Sequence, residues 1–180
     1  KKEKSINPIY PYITSSIQQD LSNLYNMSSK YSMSILQKLY ESGNITYIRT
    51  DSYKISKDFS YKMKEYIEKE YGKEYYKYRQ YNTKNKNSQE AHECIRPVNI
   101  SLTELKNDNM ENKVYKLIWK RTIQSQMSKY IYNEYKYIID IENLNYDFIS
   151  LLKNNIFLGF KILENTIEDD KILIDKIKVN

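Results

Sequence analysis

The sequence predicts an α+β chain: a mainly helical, winged-helix-like unit over residues 8–130, followed by a partial antiparallel β region over residues 131–180. Three observations carry that expectation. Apolar residues recur at helical spacing in four stretches of the first 130 residues. Two of those stretches stop at a glycine. From Tyr135 onward apolar residues alternate with polar ones instead.

The elements follow in order. Lys1 to Pro8 is basic, has no apolar run and is expected to be flexible. Thr14, Ser15 and Ser16 are cap candidates before Ile17, Leu21 and Leu24, the stripe of a first amphipathic helix. A second helix is predicted from about Ser29 to Ser42, with Met33, Leu36, Leu39 and Tyr40 on adjoining turns and Gly43 in place for a left-handed cap. The period then changes. Ile45, Tyr47 and Arg49 alternate with Thr46, Ile48 and Thr50, and this β-branched run from Asn44 to Ser52 predicts a short strand with Tyr47 and Arg49 on one face.

A third helix is predicted from about Ser56 to Tyr71, with Phe59, Met63 and Ile67 four apart and Gly72 as its cap. Residues 73–88 hold many Tyr, Lys and Asn without a period and read as a long surface connection. A further helix is predicted from Asn109 to about Met127, where Val114, Leu117, Ile118 and Trp119 form an apolar stripe; on that face Trp119 reads as core. Beyond a boundary near Tyr130, strands are predicted at Tyr135 to Ile141, Phe148 to Leu152 and Ile156 to Leu163, with Asn154 and Asn155 forming a tight turn. Lys171 to Val179 alternates again, as a last strand without a partner.

A length of 180 residues suits one domain or two small ones. Gly and Pro number three each, whereas there are 20 Tyr. Over-use of Lys, Asn, Ile and Tyr is the mark of an A+T-rich coding genome, so by default any one Tyr is a core or half-buried ring. A net charge of +6 suits a polyanionic partner, nucleic acid above all, although a solvated Lys-rich face gives the same number. The single Cys, Cys94, excludes an internal disulfide framework, and no stretch approaches the ~18 apolar residues of a membrane span. An intracellular, soluble chain is expected.

Gly43 to Ser52 reads G-N-I-T-Y-I-R-T-D-S and resembles the active-site signature of type IA DNA topoisomerases, in which the Tyr is the nucleophile. Three further segments resemble motifs of that family in the same order: P-Y-I-T-S-S-I-Q-Q at Pro11 to Gln19, Q-E-A-H-E-C-I-R-P at Gln89 to Pro97, and L-I-W-K-R-T-I-Q-S-Q-M at Leu117 to Met127. Together they cover residues 8 to 130. Ile48, where the topoisomerase III branch has Pro, and Glu93, where it has a second His, favour the bacterial topoisomerase I branch.

The resemblance implies Tyr47 as nucleophile, with Arg49 and His92, the only His, beside it. The chemistry agrees. An ordinary phenol has a pKa of about 10, so only about one part in a thousand is phenolate at neutral pH and a nearby cation or base must assist. A guanidinium two residues on can hold a phosphate by two parallel hydrogen bonds. Attack would leave a 5′-phosphotyrosyl bond that keeps the energy for religation without ATP. His92 would contact DNA phosphate by a hydrogen bond or as a cation, and Arg96, Gln89 and Thr46 are further candidate DNA contacts, Arg96 being equally able to brace its own loop. Cys94 stands where the family has Ala and is read as a small buried wall residue.

The family also implies Mg²⁺, held by a Toprim domain that lies N-terminal to this region. No clustered acidic signature occurs in these residues, so no metal ligand is assigned and the chain is expected to be a fragment that does not cleave efficiently alone. The partner expected is single-stranded DNA, the region after residue 130 is expected to begin the β-rich arch, and a monomer in the cytoplasm or nucleoid is expected. Two other readings remain: a basic module that binds single strands through tyrosine stacking, and an inactive relative.

Overall fold

In the computed structural model, residues 1–81, 92–106, 109–139 and 146–177 are described, and they form two compact units. One comprises Ile9–Met127; the other joins Lys1–Pro8 to Ser128–Asn180. The chain is α+β, with helices in the first unit and an antiparallel sheet in the second.

The helical unit contains α1 (Thr14–Tyr25), α2 (Ser29–Glu41), α3 (Lys57–Glu70) and α4 (Met110–Ser125). Its core holds Ile17 and Leu21, Ile35, Leu36 and Leu39, Phe59, Met63 and Ile67, then Val114, Ile118 and Ile123, all buried. Of the predicted stripe positions Leu24 and Tyr40 are exposed and Met33 and Leu117 half-buried, while Ile35 and Ile123, outside the predicted stripes, are buried. Helix α2 packs against α1 and α4. Trp119 is buried and donates its Nε1–H to the Ile100 carbonyl at 2.8 Å, a core ring with its polar atom satisfied.

Helix α2 stops as expected. Gly43 takes φ +71°, Gly43 N–H donates to the Tyr40 carbonyl and Asn44 N–H to that of Leu39, the paired bonds of a Schellman cap. The chain is thereby turned sharply into the segment that carries Tyr47.

That segment is not the predicted strand. Only Ile45 forms a bridge, with Pro97. Its buried apolar side chains, Ile45 and Ile48, are three apart rather than two, Thr50 and Ser52 are buried as well, and its backbone bonds go to two different partners. Thr46 N–H donates to the Arg96 carbonyl at 2.9 Å, while Thr50 N–H donates to Thr14 Oγ1 at 2.9 Å. β-Branched residues suit such an irregular wall as well as a ladder, which is why alternation misled.

The second unit is a three-stranded antiparallel sheet in the order β1 (Lys2–Ile6), β2 (Tyr130–Ile139), β3 (Phe148–Phe157), followed by α5 (Lys171–Lys176). Five expectations are corrected here. The start of the chain, expected to be flexible, is a strand: Lys2 lies opposite Glu134 and Ile6 opposite Tyr130, with a Lys4–Glu134 ion pair of 2.6 Å. The strand expected from Tyr135 begins at Tyr130. Asn154 and Asn155 are no turn but lie inside β3, opposite Asn133 and Tyr132. Lys171–Lys176 is a helix, and Gly159–Leu163, expected in a strand, is a 3₁₀ turn. Gly159 explains the last: at φ +50° it lies so close to the Lys129 carbonyl that no Cβ would fit, a bend no strand makes.

Candidate active site

Tyr47 sits on the wall between the α2 cap and Thr50, 41% exposed, while its neighbours Ile45 and Ile48 anchor that wall in the core. Its ring is flanked on two sides. His92 lies 5.7 Å away between centroids with a tilted ring, and Tyr40, from the last turn of α2, meets it edge-on at 5.5 Å. The hydroxyl itself makes no hydrogen bond among the described residues, so it is free for an incoming group.

Arg49 and His92 line one cleft of about 350 Å³, together with Thr14, Ser15, Thr50 and Asp51. Arg49 is exposed and forms no ion pair with any described residue. The first turn of α1 borders the same cleft and has no acidic residue of its own, Asp51 being the one carboxylate in the lining. An unpaired guanidinium, an imidazole and a helix N-terminus around one opening suit a phosphate group. His92 therefore joins Tyr47 and Arg49 into one arrangement, touching the ring of the first and sharing the cleft of the second.

Thr14 holds this arrangement from outside the Tyr47 motif. Its Oγ1 donates to the Ile48 carbonyl at 2.7 Å and accepts from Thr50 N–H, and its own N–H donates to the Thr50 carbonyl at 3.0 Å. In the sequence Thr14 is a cap candidate inside the Pro11 to Gln19 motif, and Tyr40 a helix-face residue. The contacts span seven residues in one case and more than thirty in the other, and no local period reports either.

The other candidates divide. Thr46 Oγ1 donates to the Cys94 carbonyl at 2.7 Å and accepts from Arg96 N–H at 3.0 Å, clipping the Tyr47 wall to the loop that carries His92. Arg96 turns inward: its Nε donates to Glu93 at 2.6 Å, its Nη2 pairs with the same carboxylate, its Nη1 donates to the Pro97 carbonyl at 2.9 Å, and its guanidinium lies 3.8 Å over the Phe59 ring. Gln89 lies outside the described residues. Cys94 is fully buried, and burial pushes its thiol up to about 12, which makes it unreactive.

Among the described residues no group of three or more His, Cys, Asp or Glu side chains is gathered so as to hold a metal ion, and no helix is long and apolar enough to cross a membrane. A larger recess of about 670 Å³ beside α3, lined by Lys62, Glu65, Tyr66, Lys69 and Glu70 among others, mixes both charge signs and lacks any nucleophile beside a base.

A family model described as DNA topoisomerase matches residues 1–179. The chain is similar to a DNA topoisomerase 1 of prokaryotic type from Acanthamoeba polyphaga mimivirus, 40% identical over 174 residues that cover 91% of this chain and 20% of that protein. It is similar also to DNA topoisomerase 1 of Fervidobacterium islandicum, at 38% identity with 89% of this chain and 25% of the relative covered. Its fold matches the structure of full-length topoisomerase I from Thermotoga maritima with a TM-score of 0.78 and 30% identity, over 93% of this chain and 29% of that one. The chain thus spans about a fifth to a quarter of the length of these curated relatives.

Proposed function

This chain belongs to the DNA topoisomerase family, and from that membership we propose that it carries the strand-cleaving tyrosine of a type IA enzyme. The helical unit is read as the winged-helix-like tyrosine domain and the sheet as the start of the arch. The observation that supports the proposal is that Arg49 and His92 line one cleft at the α1 N-terminus while the Tyr47 ring lies against His92.

In the proposed step the Tyr47 hydroxyl oxygen attacks a backbone phosphorus of single-stranded DNA. The new O–P bond forms as the bond from phosphorus to the 3′ oxygen breaks; the phenol proton leaves to solvent and the departing 3′ oxygen takes one up. Arg49 holds the non-bridging oxygens through two parallel hydrogen bonds, strongest as charge develops on them. His92 adds a hydrogen bond or a charge to the same phosphate and, with Tyr40, confines the Tyr47 ring so that attack starts from an oriented nucleophile. The 5′-phosphotyrosyl link is isoenergetic enough with the diester for the 3′ hydroxyl to reverse it without ATP. Strand passage before resealing would relax negatively supercoiled DNA.

Thr46 and Arg96 are proposed to act on the loop rather than on DNA, since their polar atoms bond within the protein; Gln89 is retained as a DNA contact from the motif. Mg²⁺, which would offset phosphate charge, is proposed to be held by a Toprim domain outside these residues, since among the described residues no group of three or more His, Cys, Asp or Glu is gathered to hold it. A monomer acting in the cytoplasm or nucleoid completes the reading.

The test is to incubate the full reading frame that contains this chain with 3′-end-labelled single-stranded DNA and Mg²⁺, denature, and look for labelled protein. A band that disappears in Tyr47→Phe is the expected result. Tight DNA binding with no band under any condition would replace this proposal with a non-catalytic single-strand-binding module.

A further inference from the structure

The helical unit has a second basic recess. A cleft of about 350 Å³ lies between α3 and the segment that follows it, lined by Lys57, Ser60, Tyr61, Lys64, Tyr76 and Tyr78. Lys57, Tyr61 and Lys64 are four and seven positions apart and so share one face of α3. Tyr61 and Tyr78 are 66% and 53% exposed, large rings left to water beside two ammonium groups, and no carboxylate lines the cleft. The nearest acid to Lys64 is Glu68, at a long 3.9 Å.

The opposite wall is built in advance of any ligand. Lys77 N–H donates to the Gln126 carbonyl, Arg79 N–H to Gln126 Oε1, and Gln126 Nε2 back to the Arg79 carbonyl, each near 3.0 Å. The Arg79 guanidinium also donates to the Met127 carbonyl. The strap runs on to Tyr81, whose ring is 4.4 Å from that of Tyr10, and Tyr10 meets Tyr53 edge-on at 5.1 Å. Tyr53 follows Asp51, which lines the Arg49 and His92 cleft. Tyr81, Tyr10 and Tyr53 thus form a cluster of rings whose ends lie three residues from Tyr78 and two from Asp51 along the chain.

We propose that the α3 cleft is a second contact for single-stranded DNA, with bases stacking on Tyr61 and Tyr78 and phosphates pairing with Lys57 and Lys64, and that Tyr81, Tyr10 and Tyr53 lead the strand from there to Arg49. It rests on the cleavage reading only for where the strand is led. Exposed rings between cations favour a single strand because its bases can splay and stack, which paired bases inside a duplex cannot do. Lys57 and Lys64, in a lining that contains no carboxylate, supply the backbone contacts.

Fluorescence anisotropy on the full-length protein, with labelled oligothymidylate and with a duplex of mixed sequence, tests this. The double variants are Lys57→Gln with Lys64→Gln, and Tyr61→Ala with Tyr78→Ala; all four residues are exposed, so the core is untouched. The lysine pair should lower the slope of log affinity against log salt by about 1.4, at about 0.7 per phosphate released. The tyrosine pair should weaken single-strand binding by at least about fivefold per ring, leaving duplex affinity unchanged. Unaltered slope and affinity in both variants would overturn the proposal even with adduct forming normally, and so would equal losses on single strand and duplex. No adduct from wild type, with both variant effects present, would sink the cleavage reading and leave this contact standing.

Discussion

Replacing Arg96 by methionine keeps the apolar stem and removes a cation that is only 11% exposed and is held by three partners. The stacking over Phe59 at 3.8 Å, shielded from water, contributes about 1–2 kcal/mol. The charged hydrogen bond to the Pro97 carbonyl adds about 1.5 kcal/mol. Orphaning Glu93 costs less than the ~3–5 kcal/mol of a deeply buried pair, because its side chain is 23% exposed and regains water; about 1–2 kcal/mol is the discounted figure. These effects overlap, so the expected loss is about 2–4 kcal/mol. Urea unfolding of the 180-residue chain followed by Trp119 emission measures it, since Trp119 is the only Trp and sits in the core of the same unit. Salt titration of DNA affinity in the full-length protein should give an unchanged slope. A stability loss under about 1 kcal/mol together with a slope lower by about 0.7 would refute the bracing role and return Arg96 to the DNA.

Three further outcomes are expected. Thr14→Val leaves Thr50 N–H and the Ile48 carbonyl without their partner, and should cost about 1–3 kcal/mol by the same unfolding assay and slow adduct formation without changing the salt slope. Gly159→Ala forces a Cβ into the Lys129 carbonyl at positive φ and should destabilise the sheet unit by more than about 2 kcal/mol, read as faster proteolysis at β3. Cys94, with a thiol raised by burial from an ordinary 9.0 to about 12, favours the protonated native state; its contribution is fully present below about pH 9 and declines as pH rises toward 12. Native protein at pH 8.5 should therefore resist iodoacetamide until urea unfolds it, and rapid alkylation without unfolding would contradict the burial.

The helices were legible because their apolar stripes repeat every three to four residues and because Gly43, free to take a positive φ, and Asn109, whose side chain accepts from Asn112 N–H, suit helix ends. The Tyr47 segment was legible in composition but not in conformation: Ile45 and Ile48 are held by residues from two remote segments, and tertiary bonds overrode local β preference. His92 beside Tyr47 followed from the motif alone, since forty-five positions of chain separate them. Arg96 looked like Arg49 in sequence, and only the carboxylate of Glu93 and the ring of Phe59 tell an inward guanidinium from an outward one. In the sheet, alternation located strand material but not its ends, because pairing of β1 with β2 crosses the whole helical unit.

That pairing has a consequence for synthesis on the ribosome. Ile6 and Tyr130 are partners about 120 residues apart, so at about 5–20 residues per second the first strand waits about 6–24 s for its mate. Through that interval Lys2, Glu3 and Lys4 lack their β2 partners, and their charges discourage a passing strand from annealing there. The helical unit, complete at residue 127, has time to fold as the intervening loop, which shortens the effective distance that the late closure must span.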